Sequence, residues 1–159
     1  MTQDPNSLPS RLSDDALAKI ISEERTTVRD IPTSSRDVAD RLAQFNELYD
    51  ALTTKPDDAA LIYTDPLTGS AKWSAIGNRL LVGRFPKSAS NAVSTLEIQD
   101  KEMSRQHFEI VLTSDGLYLL NDLNSLNGTY VDRARQEIAV LIGGSEIRAG
   151  NTTFIFTGR

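Results

Sequence analysis

The sequence predicts an all-β fold, an antiparallel β-sandwich preceded by a short helical N-terminal extension. From residue 59 onward, short apolar runs alternate with turn residues, and no helical period separates them. Before residue 59, apolar residues recur at steps of three and four, which is typical of amphipathic helices. The 159-residue chain is long enough for one buried domain plus an appendage, and too short for two domains of usual size.

The first part of the extension, which spans residues 1–58, predicts a tail followed by a weak helix. Residues 1–12 are rich in proline, asparagine and serine, a composition that favours a mobile tail. Residues 14–24 carry apolar positions at helical spacing behind Ser13, a residue suited to capping. This segment is short and weakly amphipathic, so we expect it to be helical only when docked.

A stronger helix is predicted after Pro32, with Ser34 or Ser35 as its cap, and it ends in a short linker at residues 53–58. Its apolar stripe consists of Val38, Leu42, Phe45, Leu48, Tyr49 and Leu52. Such a stripe needs a partner surface. It could pack on the sandwich or pair with a second copy of the chain to form a homodimer.

The predicted strands follow from residue 59 to the end of the chain. They span residues 60–63, 72–76, 79–82, 95–98, 107–112, 117–120, 129–131, 137–140, 146–148 and 152–156. Pro66 and Gly69 suit a reversal after the first strand, and residues 114–116 form a tight-turn signal. Many short strands at regular spacing favour a sandwich of two sheets.

The distribution of charge argues against nucleic-acid binding. Residues 1–58 hold 7 basic and 12 acidic side chains, a balance of −5, whereas the rest of the chain holds 10 of each and is neutral. A broad basic stripe that would neutralise a phosphate backbone is therefore not expected. No apolar run approaches the length of a membrane span, and the N-terminus lacks the basic and apolar parts of a signal peptide. We expect a cytoplasmic protein with no membrane association.

The residue types that are absent or rare in the chain exclude several kinds of catalytic and metal-binding site. The chain has no cysteine and one histidine, His107, so thiolate chemistry and sites with several imidazoles are excluded. His107 lies three positions after Ser104, and such positions on a strand point to opposite faces, which makes a Ser/His dyad improbable. We predict no catalytic residues, no metal site and no cofactor.

Three short motifs fall where predicted strands break into loops. Arg84 offers a planar fork for two phosphate oxygens, Ser104 offers a hydroxyl donor, and Arg105 offers a second cation. These groups suit holding a phosphorylated residue, although each arginine could instead be a solvated or ion-paired surface residue and Ser104 could satisfy its own backbone. The motifs are Gly83-Arg84, Ser104-Arg105-Gln106-His107 and Ser125-Leu126-Asn127-Gly128-Thr129.

Residues 59–158 resemble a forkhead-associated (FHA) domain of bacterial type, a module that recognises phosphothreonine. The resemblance rests on the three motifs, on Asp122-Leu123 before the third, and on the glycine and isoleucine pattern of residues 141–150. It implies a signalling protein, not an enzyme, that binds a phosphothreonine-containing partner downstream of a Ser/Thr kinase. The implied phosphopeptide-binding residues are Arg84, Ser104, Arg105, Leu126 and Asn127, and the implied structural residues are Gly83, His107, Ser125, Gly128 and Thr129.

The resemblance also implies individual roles. Asn127 is expected to grip the backbone of the ligand, while the Asn-Gly pair that it forms with Gly128 predicts a tight turn. Gly83 is expected to permit a sharp turn, and His107 to tie the recognition loops together by hydrogen bonds. Leu126 departs from the family, in which a small hydroxylated residue is common. Losing one hydrogen bond to a charged group, worth about 1.5 to 3 kcal/mol, would weaken binding roughly tenfold or more, unless the backbone N–H at the same place replaces the lost donor.

The extension contains a candidate ligand for this site. Residues 23–30 place Thr26 and Thr27 after acidic residues, which is similar to the threonine-pair tail of small bacterial FHA regulators. In those regulators the phosphorylated tail folds back onto the FHA pocket. Our hypothesis is that phospho-Thr27, or phospho-Thr26, binds the site of the same chain or of another copy. A plain helix end is the alternative, and Thr54 fits the same loose pattern.

Three classes of function therefore remain open at this point. The first is a phosphothreonine-binding signalling module, self-regulated by its own N-terminal segment. The second is the sensory FHA domain of a longer enzyme, such as a cyclase or kinase, whose output domain lies beyond Arg159. The third is an FHA-like scaffold that binds no phosphate, against which the presence of Arg84, Ser104 and Asn127 argues.

Overall fold

The computed structural model describes residues 35–88 and 90–158, which form one helix followed by eleven strands. The predicted tail, the weak helix, its Ser13 cap, the Ser34 cap and the candidate phosphorylation sites Thr26 and Thr27 lie outside the described residues. The elements are α1 (Ser35–Ala51), β1 (Ala60–Thr64), β2 (Ala71–Ala75), β3 (Arg79–Gly83), β4 (Ser94–Glu97), β5 (Phe108–Leu112), β6 (Tyr118–Asp122), β7 (Thr129–Val131), β8 (Ala134–Arg135), β9 (Ile138–Leu141), β10 (Glu146–Ala149) and β11 (Thr152–Thr157).

The strands form two sheets, which confirms the predicted sandwich fold. The six-stranded sheet has the order β2-β1-β11-β10-β7-β8, and the five-stranded sheet has the order β4-β3-β5-β6-β9. One pair differs from the antiparallel prediction, because β3 and β4 run parallel. The loop between these two strands carries the chain back along the sheet before β4 begins, so both strands point in the same direction.

The core lies between the two sheets. Phe108 of β5 meets Phe154 of β11 edge to face, with ring centroids 5.6 Å apart. Tyr63 of β1 contacts the same Phe154 ring at 5.5 Å. Burying one such aromatic side chain stabilises the fold by about 1.5 to 3 kcal/mol. This packing gives the loops at the ends of the strands a rigid support.

Helix α1 and the linker after it lie against the six-stranded sheet, next to β1 and β2. Leu52 is 5% exposed, and the rings of Phe45 and Tyr49 stack at 5.6 Å. Arg41 bonds Asp132 at 2.7 Å, in the turn between β7 and β8. Part of the predicted apolar stripe therefore packs on the sandwich. The homodimer remains a prediction.

Lys55 caps the C-terminal end of α1. Lys55 Nζ donates to the carbonyl oxygens of Tyr49 and of Leu52, the latter at 2.9 Å, and lies 5.0 Å from the centre of the Tyr49 ring. A cation in this place satisfies carbonyls that have no partner within the helix. Within the described part of the chain, no helix has the length and apolar character of a membrane span.

Candidate functional site

The sheet topology brings the loops of the three sequence motifs to one rim. β3 is antiparallel to β5, with Val82 opposite Phe108, and β5 is antiparallel to β6, with Phe108 opposite Asp122. The end of β3, the start of β5 and the end of β6 therefore lie side by side. The sequence separates these segments, but neighbouring antiparallel strands join them.

The turn formed by residues 100–104, just before β5, contacts three of the predicted site residues. The carbonyl of Glu102 accepts a hydrogen bond from Asn127 Nδ2 at 2.9 Å. The carbonyl of Met103 accepts one from Arg84 Nε at 3.2 Å. The hydroxyl oxygen of Ser104 accepts one from the backbone N–H of Leu126 at 3.0 Å. Arg84, Ser104, Leu126 and Asn127 are thus gathered around one turn.

Arg84 points its charged end outward from this cluster. Its Nε donates to the Met103 carbonyl, and among the described residues neither terminal nitrogen of the guanidinium has a hydrogen-bond partner, so both are open to a ligand. Neither Arg84 nor Arg105 pairs with a carboxylate of the described residues, whereas Arg41 and Arg79 do. Both are exposed cations at the rim.

Gly83 is required because two backbones approach closely beside Arg84. A Cβ atom at Gly83 would lie 2.0 Å from the carbonyl oxygen of Arg105, which no backbone could accommodate. The approach is fixed by backbone hydrogen bonds from Arg84 N–H to the Ser104 carbonyl at 2.9 Å and from Phe85 N–H to the Arg105 carbonyl at 3.0 Å. The close approach places Arg84 next to the turn.

His107 lies beneath the rim with 0% of its surface exposed. Its Nδ1 accepts a hydrogen bond from the backbone N–H of Ser104 at 3.0 Å, so its Nε2 carries the proton and donates to the Gly128 carbonyl at 2.9 Å. The ring joins the turn before β5 to the loop before β7. Its contact with Ser104 is made through the backbone, so the imidazole is not placed to activate the hydroxyl.

The side chain of Asp122 fixes the loop before β7 by hydrogen bonds. Its carboxylate accepts hydrogen bonds from the backbone N–H of Ser125 at 3.1 Å, from the Ser125 hydroxyl, and from the Thr129 hydroxyl at 2.7 Å. Gly128 has a φ of +87°, and a Cβ there would lie 2.6 Å from the Arg135 side chain. The loop therefore presents Leu126, whose side chain is 85% exposed, to solvent at the rim.

Sequence reasoning missed the supports of this site. The sequence motifs include Asp122 only as part of a pattern. They do not include Asp100, which is 5% exposed. The carbonyls of Glu102 and Met103 carry no sequence signal, because any residue supplies one. A charged side chain is ordinarily exposed, so the sequence gives no reason to bury Asp100.

The described residues hold no group of three or more histidine, aspartate or glutamate side chains placed to bind a metal. The chemistry available at the rim is that of hydrogen-bond donors and cations. Such a site can bind an anion and orient a peptide backbone.

Comparisons with known proteins identify the domain. The FHA domain model matches residues 80–150. Glycogen accumulation regulator GarA of Mycolicibacterium smegmatis is 36% identical over 81 residues, which cover 50% of this chain and 51% of the relative. Oxoglutarate dehydrogenase inhibitor of Corynebacterium diphtheriae is 35% identical over 81 residues, covering 50% of this chain and 56% of the relative. The chain spans about half the length of the curated relatives it matches.

Solved structures agree with the family match. A chain from a structural and functional analysis of phosphothreonine-dependent FHA domain interactions has 29% identity and a TM-score of 0.50, over 64% of this chain and 96% of that one. The Slr1951 protein of Synechocystis has 19% identity and a TM-score of 0.52, over 64% of this chain and 96% of that one, and it supports the fold alone. Motifs, fold and comparisons agree that residues 80–150 of this chain belong to a forkhead-associated domain.

Proposed function

We propose that this chain is a phosphothreonine-peptide-binding signalling protein without catalytic activity, acting in the cytoplasm downstream of a Ser/Thr kinase. In this proposal residues 59–158 are the binding module and residues 1–58 are an extension that supplies or controls a ligand. The observation that carries the proposal is the gathering of Arg84, Ser104 and Asn127 around one turn at the rim of the sandwich.

The donors at the rim match a phosphate group. A phosphorylated threonine carries three strong acceptor oxygens and nearly two negative charges at neutral pH. The two terminal nitrogens of Arg84 offer a bidentate contact. The Ser104 oxygen accepts the Leu126 N–H, which leaves the hydroxyl proton to donate. Arg105, exposed in the same turn region, adds positive charge.

The amide of Asn127 matches the backbone of a peptide. One of its two N–H protons is used by the Glu102 carbonyl at 2.9 Å, and this bond fixes the plane of the amide. Within the described part of the chain the second proton and the oxygen of Asn127 have no partner, so they can bond a backbone carbonyl and a backbone N–H of the ligand. The site therefore offers phosphate contacts and backbone contacts together, which suits a phosphopeptide better than free phosphate.

The comparisons support the regulatory part of the proposal. The relatives carry the names of a regulator and an inhibitor, and one solved neighbour was studied for phosphothreonine-dependent interactions.

The direct test is binding of fluorescent phosphothreonine peptides with degenerate flanking residues, measured by polarisation. We expect wild type to bind this pool and not the unphosphorylated pool, and Arg84→Ala to lose at least about tenfold in affinity, since one charge-assisted contact is worth that much. Arg79→Ala is the matched control, because Arg79 begins the same strand, β3, at its other end. Equal affinity of Arg84→Ala and wild type would contradict the proposal.

A second element of the proposal concerns the source of the ligand. We infer that the segment around Thr27, once phosphorylated, occupies the site of its own chain or of another copy. The order of the chain supports this, since Thr27 lies eight positions before the start of α1 and is tethered to the module by about thirty residues. A short tether gives an effective concentration of about a millimolar, enough to occupy even a weak site.

A further inference from the structure

The turn of residues 100–104 is held by the side chain of Asp100, which bonds residues outside the predicted site. Asp100 is 5% exposed. One carboxylate oxygen, Oδ1, accepts the N–H of Glu102 at 2.9 Å. The other, Oδ2, accepts the N–H of Asn151 and the hydroxyl of Thr152, both at 2.7 Å. One oxygen of the carboxylate thus closes the turn of residues 100–104, and the other bonds residues 151 and 152.

These bonds join the two sheets of the sandwich. The turn of residues 100–104 lies between β4 and β5 of the five-stranded sheet, while Asn151 lies between β10 and β11 of the six-stranded sheet and Thr152 begins β11. Gly150 makes room for the contact, because a Cβ there would lie 2.9 Å from Asp100 Oδ2 and 2.9 Å from the backbone nitrogen of Met103. Its φ of +60° also favours glycine. The position of the turn is therefore set from outside the site.

The position of Asp100 affects the rim through the backbone of the turn. Glu102, Met103 and Ser104 lie in the same turn as Asp100, and they accept hydrogen bonds from Asn127, Arg84 and the Leu126 N–H, respectively. A shift of the turn would move all of these contacts together. Displacements of about 1 Å are enough to cost a positioned site much of its function.

We propose that Asp100 is a positioning residue for phosphopeptide binding, which holds the turn in the conformation where Arg84, Ser104 and Asn127 converge. The inference rests on the proposed function, because it explains how that site is assembled. Asp100 contacts no ligand in this account and acts only through the turn.

The test uses the full chain and the degenerate phosphothreonine peptide pool. Asp100→Asn keeps the size of the side chain but presents an N–H group where the carboxylate accepts, so at least one donor loses its partner. We expect affinity to fall about tenfold, the effect of displacing one charge-assisted contact between the site and the phosphopeptide. Thr152→Val removes one bond to Asp100 without changing the carboxylate, and we expect a smaller loss in the same direction.

The control is Ser145→Ala, at the opposite end of β10. Ser145 is 3% exposed and its hydroxyl accepts the N–H of Ile142 at 3.0 Å, so this variant also loses a buried turn bond. We expect its melting temperature to fall while its affinity stays at the wild-type value. In the free protein, the NMR signals of Arg84 Nε–H and the Asn127 amide should shift in Asp100→Asn and stay in place in Ser145→Ala.

The outcomes separate this inference from the proposed function. Wild-type affinity in both Asp100→Asn and Thr152→Val, together with lost binding in Arg84→Ala, overturns the positioning role and leaves the function intact. Unchanged NMR signals at Arg84 and Asn127 in Asp100→Asn also overturn it. Wild-type affinity in Arg84→Ala defeats the proposed function instead. Should Asp100→Asn fail to fold, Thr152→Val decides the question.

Discussion

Leu126 lies at a position of the rim where a different side chain can be introduced with little effect on the fold. Its side chain is 85% exposed, and its contribution to the cluster comes from the backbone N–H that bonds Ser104 at 3.0 Å. Replacing the side chain should therefore leave the fold unchanged, since exposed positions without special features rarely alter stability by more than about 0.5 kcal/mol.

A hydroxyl at position 126 should strengthen phosphopeptide binding. We predict that Leu126→Thr gains up to about tenfold in affinity, because it adds one donor within reach of a phosphate. Leu126→Ala lacks that donor and should bind like wild type. Isothermal titration with a single phosphothreonine peptide chosen from the pool would measure both variants, and a gain in the alanine variant would point to removal of steric hindrance instead.

His107 should matter for stability as well as for binding. His107→Phe keeps a buried ring but leaves the Ser104 N–H and the Gly128 carbonyl without partners. Each unpaired group costs about 1 to 3 kcal/mol, so we expect the free energy of unfolding to fall by about 2 kcal/mol or more. Urea unfolding measures this directly. Unchanged stability would mean that water or a new contact replaces the ring.

At the scale of elements, the strands were predictable because alternation and turn residues are local signals. β8, with only two residues, was missed, since Ala134–Arg135 is too short to show a period. The parallel pairing of β3 with β4 was also missed, because pairing direction depends on the path of a loop and not on the strands themselves. α1 was predicted from its stripe, and the structure places it against the sandwich.

The residues of the candidate site, like the strands, were predictable where the sequence carries a local signal. Motif residues such as Arg84 and Asn127 stand out by type and spacing, and antiparallel neighbours bring their loops together. The buried carboxylate of Asp100 escaped notice because its partners, Asn151 and Thr152, lie about fifty residues away. Contacts between distant segments leave no trace in a single sequence.

The turn between β1 and β2 should make a small contribution to stability that depends on pH. Asp65 accepts a hydrogen bond from Lys72 Nζ at 2.7 Å, and this bond, followed by one from the Leu67 N–H, lowers the pKa of Asp65 below its ordinary value of 3.8. A lowered folded-state pKa stabilises the protein above the unfolded value, and this stabilisation is lost as the pH falls through the folded pKa.

Asp65→Asn should reveal this dependence. We predict that the variant is slightly less stable than wild type at pH 7, and that the difference disappears as the pH falls through the folded-state pKa of Asp65, which lies below the ordinary value of 3.8. Urea unfolding at a series of pH values measures it. A difference that persists at pH 2 would show that the side chain acts by packing or by a neutral hydrogen bond.

For the whole molecule, phosphorylation of the N-terminal segment should compete with external ligands. We predict that kinase-treated full-length protein binds an added phosphothreonine peptide at least about tenfold more weakly than kinase-treated Thr27→Ala, since a tethered ligand at about millimolar effective concentration occupies the site. Thr26→Ala is the matched control for the neighbouring threonine. Equal affinities in treated wild type and in the double variant Thr26→Ala/Thr27→Ala would exclude self-binding.

The contact between the linker and β2 gives the molecule an intrinsic optical reporter. Trp73 is the one tryptophan of the chain, and its indole N–H donates to the Thr54 hydroxyl at 3.1 Å, just after α1. If the linker detaches from the sheet, the indole gains water in place of this partner and its fluorescence emission moves to longer wavelength. Detachment of the linker can thus be followed in real time without an added dye, by the fluorescence of Trp73.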